Sequence, residues 1–171
     1  VKRAAFAWRG DVPTSVRPSG SDGNHYAFVI RFDDDSTYFF RADDGLSGDD
    51  YMLAEDHVLR ILASTGVPAP RLWASGVSDS GMHYQILDCV DAPNLNVHLK
   101  NGTLQFDDIA EQLGRYLRSL HAIKCDGFGF FNTQTIKRDG VLVGLKPNYS
   151  SYFNQRLDEH LGYLRSHDLI T

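Results

Sequence analysis

The first half of the chain contains short apolar runs separated by polar, turn-forming residues, a pattern that predicts strands together with one helix. β-Rich runs at 26–32 and 36–42 are joined by three consecutive aspartates, which predicts a hairpin. A second antiparallel pair is predicted over 71–76 and 83–90, around the turn-forming residues 78–81. This half of the chain is therefore expected to form a sheet.

One helix is predicted between the two strand pairs, because apolar residues recur there at helical spacing. Gly66 is expected to end this helix, and Pro68 and Pro70 prevent its continuation. Its apolar stripe consists of Tyr51, Ala54, Val58, Ile61 and Leu62.

After the second strand pair the pattern changes from strands to helices. One helix is expected to begin at the two aspartates 107–108, whose charges suit the positive end of a helix. Residues 128–144 are expected to be loop-like, with a small hairpin at 138–140, and a last helix is predicted at roughly 151–165. The first of these helices has an apolar stripe formed by Ile109, Leu113, Tyr116, Leu117 and Leu120. The last helix has one formed by Phe153, Leu157, Leu161 and Leu164.

Strands followed by helices predict an α+β fold. A chain of 171 residues is long enough for one sizeable domain or two small lobes with a shared core. We place the boundary at the change of pattern, so that 1–91 and 92–171 form separate parts.

Composition narrows the classes of partner. A net charge of −5 argues against nucleic acid and against an anionic membrane surface, both of which attract basic proteins. No apolar run approaches the ~20 residues of a membrane span, and no signal segment opens the chain. Cys89 and Cys125 lack metal-ligand spacing. We expect an acidic, soluble protein of the reducing cytoplasm.

Three segments are candidates for binding chemistry. The small residues of 19–25 form either an ordinary turn or a loop whose backbone N–H groups wrap a phosphate, although the loop is not a Walker motif. Arg41 precedes a helix in which Glu55 borders the apolar stripe, and such a carboxylate needs a cationic partner. Residues 87–91 leave a predicted strand for a polar linker, so their backbone groups lack ladder partners.

The order and spacing of these features resemble the aminoglycoside phosphotransferase family, kinase-like enzymes that phosphorylate small molecules. The resemblance runs from the helix at 54–62 through the strand break at 84–91 to Ser119-Leu120-His121 and Asp126-Gly127-Phe128-Gly129. It covers the chain from about residue 14 to its end. It implies a protein-kinase-like N-lobe, which is an antiparallel sheet plus one helix, followed by the first helices of the C-lobe.

The resemblance also implies roles for single residues in binding ATP or GTP with Mg²⁺, the metal ligands lying outside this chain. Arg41 corresponds to the basic residue that holds nucleotide phosphates and Glu55 to the acid that orients it, although a structural ion pair remains an alternative. Leu87 corresponds to the residue that guards the back of the base pocket. The carbonyl of Asp88 and the N–H of Val90 would face the base. Ser21, Gly23 and Asn24 correspond to the loop that covers the phosphates.

The catalytic loop of the resembled family is expected to be absent from this chain. That loop contains a His-Gly-Asp type motif, then Asn and a metal-binding Asp, whereas here His167 directly precedes Asp168 and only three residues follow. We interpret these two residues as the solvated end of the last helix and expect no catalytic residue in the chain. His121 is expected to be structural.

The leading hypothesis is therefore an N-terminal fragment of a kinase, inactive alone, whose complete protein acts on a hydroxyl of a small molecule such as an aminoglycoside antibiotic. Two alternatives stay open. One is a remnant that binds a nucleotide or a protein without catalysis, and the other is an unrelated α+β domain. A fragment is expected either to expose the apolar face of the last helix or to cover it by dimerisation.

Overall fold

The computed structural model describes residues 1–20, 25–43 and 50–170. Those residues form two compact units, 1–123 and 124–171. The sequence-based division into an N-lobe of residues 1–91 and the beginning of a C-lobe at residues 92–171 stays a prediction. In the described part, no helix has both the length and the apolar character needed to cross a membrane.

The first unit contains a five-stranded antiparallel sheet with the strand order β1-β2-β3-β5-β4. Both predicted hairpins are confirmed as neighbouring strands of this sheet. Its strands are β1 Ser15–Pro18, β2 His25–Arg31, β3 Thr37–Asp43, β4 Leu72–Val77 and β5 His83–Asp88, and its helices are α1 Lys2–Arg9, α2 Tyr51–Leu62, α3 Leu95–Lys100 and α4 Asp107–Ala122.

The hydrophobic core lies on one face of the sheet, under α1. Phe28, Phe40 and Ile86 stand opposite one another on three adjacent strands, and because side chains alternate along a strand they share this face. Ala5 of α1 is fully buried against them. Helix α1, which is only eight residues long, was not predicted from the sequence.

Helix α2 packs against β4 and β5. The helix was predicted, but its buried face differs from the expected stripe. Met52, Ala54 and Asp56 are buried, whereas Tyr51 and Ile61 are exposed. The spacing of apolar residues identified the helix. It did not identify the face that contacts the sheet, because that face includes the carboxylate of Asp56.

The second unit differs from the loop expected at 128–144. Strands β6 Phe128–Phe131 and β7 Gly144–Lys146 pair with each other, and the predicted hairpin at 138–140 is the end of helix α5 Thr133–Asp139. Asn132 begins this helix by accepting hydrogen bonds from the backbone N–H groups of Gln134 and Thr135, at 3.1 and 3.2 Å. An N-cap inside a glycine-rich stretch is a local signal that periodicity does not detect.

The expected helix over 151–165 is two helices, α6 Tyr149–Phe153 and α7 Leu157–Ser166. Phe153 therefore does not share one helix with Leu157, Leu161 and Leu164, which corrects the predicted continuous face. Phe153 is exposed at the end of α6 and stacks on Tyr149 with ring centroids 5.7 Å apart.

Three glycines in and beside β6 and β7 mark tight backbone. Gly127 and Gly129 have φ angles of 77° and 82°, which favour glycine. A Cβ atom at Gly144 would lie 2.2 Å from the backbone nitrogen of Phe128, so this strand pair needs glycine there. The ring of Phe128 is exposed.

Candidate functional site

The face of the sheet opposite α1 carries the candidate site. Ala27, Arg41 and Gln85 stand side by side on β2, β3 and β5, and the next row along the strands is Val29, Phe39 and Leu87. Since residues two apart on a strand point to the same side, Arg41 and Leu87 share this face. The structure thus brings together two residues that the sequence singled out separately.

Arg41 is held by two partners. Its Nη2 donates to Oε2 of Glu55 on α2, and its Nε donates to Oε1 of Gln85 at 2.6 Å. The Arg41 side chain is 21% exposed and that of Glu55 is 45% exposed. Because the carboxylate is nearly half solvated, we expect the ion pair to contribute only about 1 kcal/mol to stability. The pair orients the guanidinium more than it stabilises the fold.

A buried polar network extends from Arg41 beneath α2. Nε2 of Gln85 donates to Oδ1 of Asp56 at 2.6 Å and to the carbonyl of Met52 at 3.1 Å. Nε2 of His83 bonds to the other oxygen of Asp56 at 2.9 Å. Sequence reasoning missed this network. The signal was the alternation of His83, Gln85 and Leu87 on one face of a strand, beside consecutive acids in the facing helix.

The end of β5 is fixed by the side chain of Asp88. One carboxylate oxygen accepts from the indole Nε1–H of Trp73 at 2.7 Å, and the other accepts from the backbone N–H of Arg71 at 2.9 Å. The backbone N–H of Asp88 also donates to the carbonyl of Arg71 at 3.1 Å. Both the side chain and the N–H of Asp88 are therefore engaged with the β4 side of the sheet.

The linker that follows begins with Cys89 and Val90. Burial raises the pKa of the Cys89 thiol, the nearby Asp91 raises it further, and Arg17 acts in the opposite direction. The thiol is therefore neutral at physiological pH and weakly nucleophilic. Val90 is 71% exposed.

The sequence profile described as "Phosphotransferase enzyme family" matches residues 15–165. The chain belongs to this phosphotransferase family. None of the curated proteins matches it significantly.

A solved structure shows the same fold. It is the crystal structure of a thermostable mutant of the aminoglycoside phosphotransferase APH(4)-Ia in its apo form, with a TM-score of 0.65 and 16% identity. The match covers 97% of this chain and 53% of that one, so this chain spans about half of its length. The antiparallel sheet with helices is thus the kinase-like fold of an aminoglycoside phosphotransferase, which confirms the predicted fold class.

The phosphotransferase resemblance also singled out three residues that the structure does not describe. Ser21, Gly23 and Asn24 fall outside the described residues. On the near side of that gap, the backbone N–H of Ser19 donates to the carbonyl of Ala27 at 3.0 Å, so β1 and β2 are joined up to this point.

His167 follows α7 as its C-cap, where it makes local contacts. Its Nδ1 lies 2.9 Å from the carbonyl of Tyr163 and 3.0 Å from the hydroxyl of Ser166. Its ring stacks on Tyr163 with centroids 4.1 Å apart. His121 lies in the last turn of α4. In the part of the chain that the structure describes, no three His, Cys, Asp or Glu side chains are grouped as a metal site.

Proposed function

We propose that this chain forms the nucleotide-binding part of an ATP-dependent phosphotransferase whose acceptor is a hydroxyl of a small molecule. The observation that carries the proposal is the Arg41 guanidinium, held by Glu55 and Gln85 on the face of the sheet opposite α1. Membership of the phosphotransferase family supports phosphoryl transfer as the type of reaction.

Arg41 is suited to bind the phosphates. Its bonds run through Nε and Nη2, so the two N–H groups of Nη1 have no partner among the described residues. A guanidinium presents paired donors to phosphate oxygens and stays charged at every physiological pH. Glu55 and Gln85 bind one edge of the planar Arg41 guanidinium, and its opposite edge can bind an anion.

The base is assigned to the start of the linker. Leu87 shares the face of Arg41 one row further along β5, where an apolar side chain closes the back of a base pocket. The carbonyl of Asp88 and the N–H of Val90 face the base in this proposal. The engagement of the Asp88 carboxylate with Trp73 and Arg71 supports a readout through the backbone carbonyl, since that side chain is already bonded.

Mg²⁺-ATP supplies the phosphoryl group that the reaction transfers. In this proposal Ser21, Gly23 and Asn24 cover its phosphates, and the metal ligands and the group that orients the acceptor hydroxyl come from outside these residues. The similar structure is named for transfer to an aminoglycoside, and we propose an acceptor of that hydroxylated class, which would make the complete protein an antibiotic-resistance enzyme.

The test is titration calorimetry of the purified protein with Mg²⁺-ATP, comparing the unaltered chain with Arg41→Ala. Loss of a charged phosphate contact should weaken binding about tenfold or more. Arg3→Ala is the matched control, because this arginine is exposed on α1 at the opposite face and pairs with Asp79 at 2.7 Å. Equal affinity of the Arg41→Ala variant and the unaltered protein would rule out the phosphate-binding role.

Phosphoryl transfer is assayed separately, with Mg²⁺-ATP and a panel of aminoglycosides, sugars and amino alcohols. This assay uses the complete protein, because in this proposal the metal ligands and the group that orients the acceptor lie outside these residues. Binding together with transfer supports the enzyme. Binding without transfer to any acceptor favours a non-catalytic nucleotide-binding protein over an enzyme.

A further inference from the structure

Gln85 is the most deeply buried polar side chain in the candidate site. It is 0% exposed, and its strand β5 lies between β3 and β4 in the sheet. A buried amide is stable only where its donors and acceptor are bonded. Gln85 meets this condition through Arg41, Met52 and Asp56.

The partners of Gln85 fix which way its amide points. Arginine can only donate a hydrogen bond, so the group facing Arg41 must be the oxygen. The carbonyl of Met52 and the carboxylate of Asp56 can only accept, so the group facing α2 must be the NH₂. A flipped amide would lose all three bonds, and the orientation is therefore unique.

The network continues behind Gln85 to a charged group. Asp56 is 3% exposed, and its two oxygens are bonded separately by Gln85 and by Nε2 of His83. Because a buried carboxylate without donors is costly, these bonds hold Asp56 in one position. Asp56 in turn holds the amide of Gln85.

Gln85 supplies what Glu55 alone cannot. A single bond from Nη2 to a half-exposed carboxylate leaves the guanidinium plane free to turn about that contact. The second bond, from Nε to Gln85, lies on the same edge of the guanidinium and prevents this rotation. We propose that Gln85 is a positioning residue that orients Arg41 toward the nucleotide phosphates, an inference that rests on the proposed function.

The proposal is tested by a double-mutant cycle on Mg²⁺-ATP affinity in the purified full chain. The variants are Arg41→Ala, Gln85→Met and the two combined. Gln85→Met fills a similar volume and removes the bond to Nε, and we expect about tenfold weaker binding. If Gln85 acts through Arg41, the combined variant should bind no more weakly than Arg41→Ala alone.

The cycle separates the two proposals. An unchanged affinity in Arg41→Ala would remove the phosphate-binding role itself. A loss in Arg41→Ala combined with an unchanged affinity in Gln85→Met, or with additive losses in the combined variant, would overturn positioning while leaving the binding role intact. Gln112→Met is the matched control, because Gln112 bonds to the hydroxyl of Tyr116 on α4 and has no link to Arg41.

Gln85→Glu covers the case in which Gln85→Met does not fold. The groups facing this position are Arg41 on β3, Glu55 and Asp56 on α2, and His83 on β5. At neutral pH the new carboxylate would repel Asp56, but once protonated it donates to Asp56 and accepts from Arg41, as the amide does.

The affinity of this variant relative to the unaltered protein should therefore recover as the pH is lowered from neutral to mildly acidic. Both proteins are measured at each pH. A relative affinity that stays constant with pH, while circular dichroism shows both proteins folded, would refute positioning.

Discussion

Trp73 and Asp88 are joined by a hydrogen bond of 2.7 Å from the indole nitrogen to a carboxylate oxygen. Trp73 lies where the pairing of β4 with β5 shifts register, between Leu72 and Ala74. The guanidinium carbon of Arg71 lies 3.9 Å from the centroid of the Trp73 ring. One carboxylate thus ties an irregular edge strand to the point where the chain leaves the sheet.

We predict that Asp88→Ala lowers the free energy of unfolding of the first unit by about 1–3 kcal/mol, because two donors lose a charged acceptor. Urea unfolding followed by tryptophan fluorescence measures this. Trp73→Phe keeps an aromatic ring but removes one of the two bonds, so it should cost less than Asp88→Ala. An equal or larger loss in Trp73→Phe would show that ring packing, rather than the carboxylate, holds this edge.

Acid should weaken the contact between α1 and the β2–β3 hairpin. The pKa of Asp34 is lowered to about 2 by hydrogen bonds from Ser36 and Arg9. A lowered pKa in the folded state stabilises the protein above the unfolded value, and this contribution is lost as the pH falls toward about 2. Asp34→Asn should remove that contribution, so its stability should depend less on pH between roughly 4 and 2 than that of the unaltered protein.

The measurement is thermal unfolding of both proteins across this pH range. Asp35→Asn is a useful comparison, since Asp35 is also in the hairpin turn but pairs with Arg31 at 2.6 Å rather than with α1. Parallel pH curves for Asp34→Asn and the unaltered protein would contradict the assignment.

Two glycine substitutions should change the stability of the protein in opposite directions. Gly144→Ala places a methyl group 2.2 Å from the backbone nitrogen of Phe128 and should disrupt the β6–β7 pair. Gly114→Ala, inside α4, meets nothing within 4 Å and should stabilise by up to about 1 kcal/mol through helix propensity. Thermal unfolding followed by far-UV circular dichroism compares the two variants. An unchanged unfolding temperature in Gly144→Ala would show that the two strands can move apart at no cost in stability.

The two cysteines should differ in reactivity. Cys125 is exposed, whereas Cys89 is partly buried and burial raises its pKa. Iodoacetamide should therefore modify Cys125 first, and Cys89 only slowly, with a rate that increases as the pH rises. Mass spectrometry of tryptic peptides after timed labelling reads both sites, and faster labelling of Cys89 would contradict the burial described above.

The sequence predicted the sheet better than the helices that surround it. Runs of strand-favouring residues bounded by turn residues located β2, β3 and β5, and the acidic start at Asp107 located the first residue of α4. Helix α1 and the division between α6 and α7 were missed, since short helices are set by caps and by tertiary contact more than by period. Asn148, which accepts from the backbone N–H of Ser151 at 2.9 Å, is such a cap.

For the site, sequence order placed Arg41 just before a helix that carries an acid, and the ion pair with Glu55 follows from that placement. The buried acid could not be identified in the same way. Glu55 and Asp56 are neighbours, and only the rotation of α2 against β5 decides which of them faces Gln85. Their roles in nucleotide binding remain predictions.

The closeness of Trp8 on α1 to Trp73 on β4 has a consequence for spectroscopy. The chain contains two tryptophans, Trp8 and Trp73, and their ring centroids lie 6.2 Å apart. Both belong to the first unit, residues 1–123, and residues 124–171 contain no tryptophan, so indole emission reports on the first unit. A single smooth fluorescence transition therefore says nothing about whether this protein unfolds in one step or two.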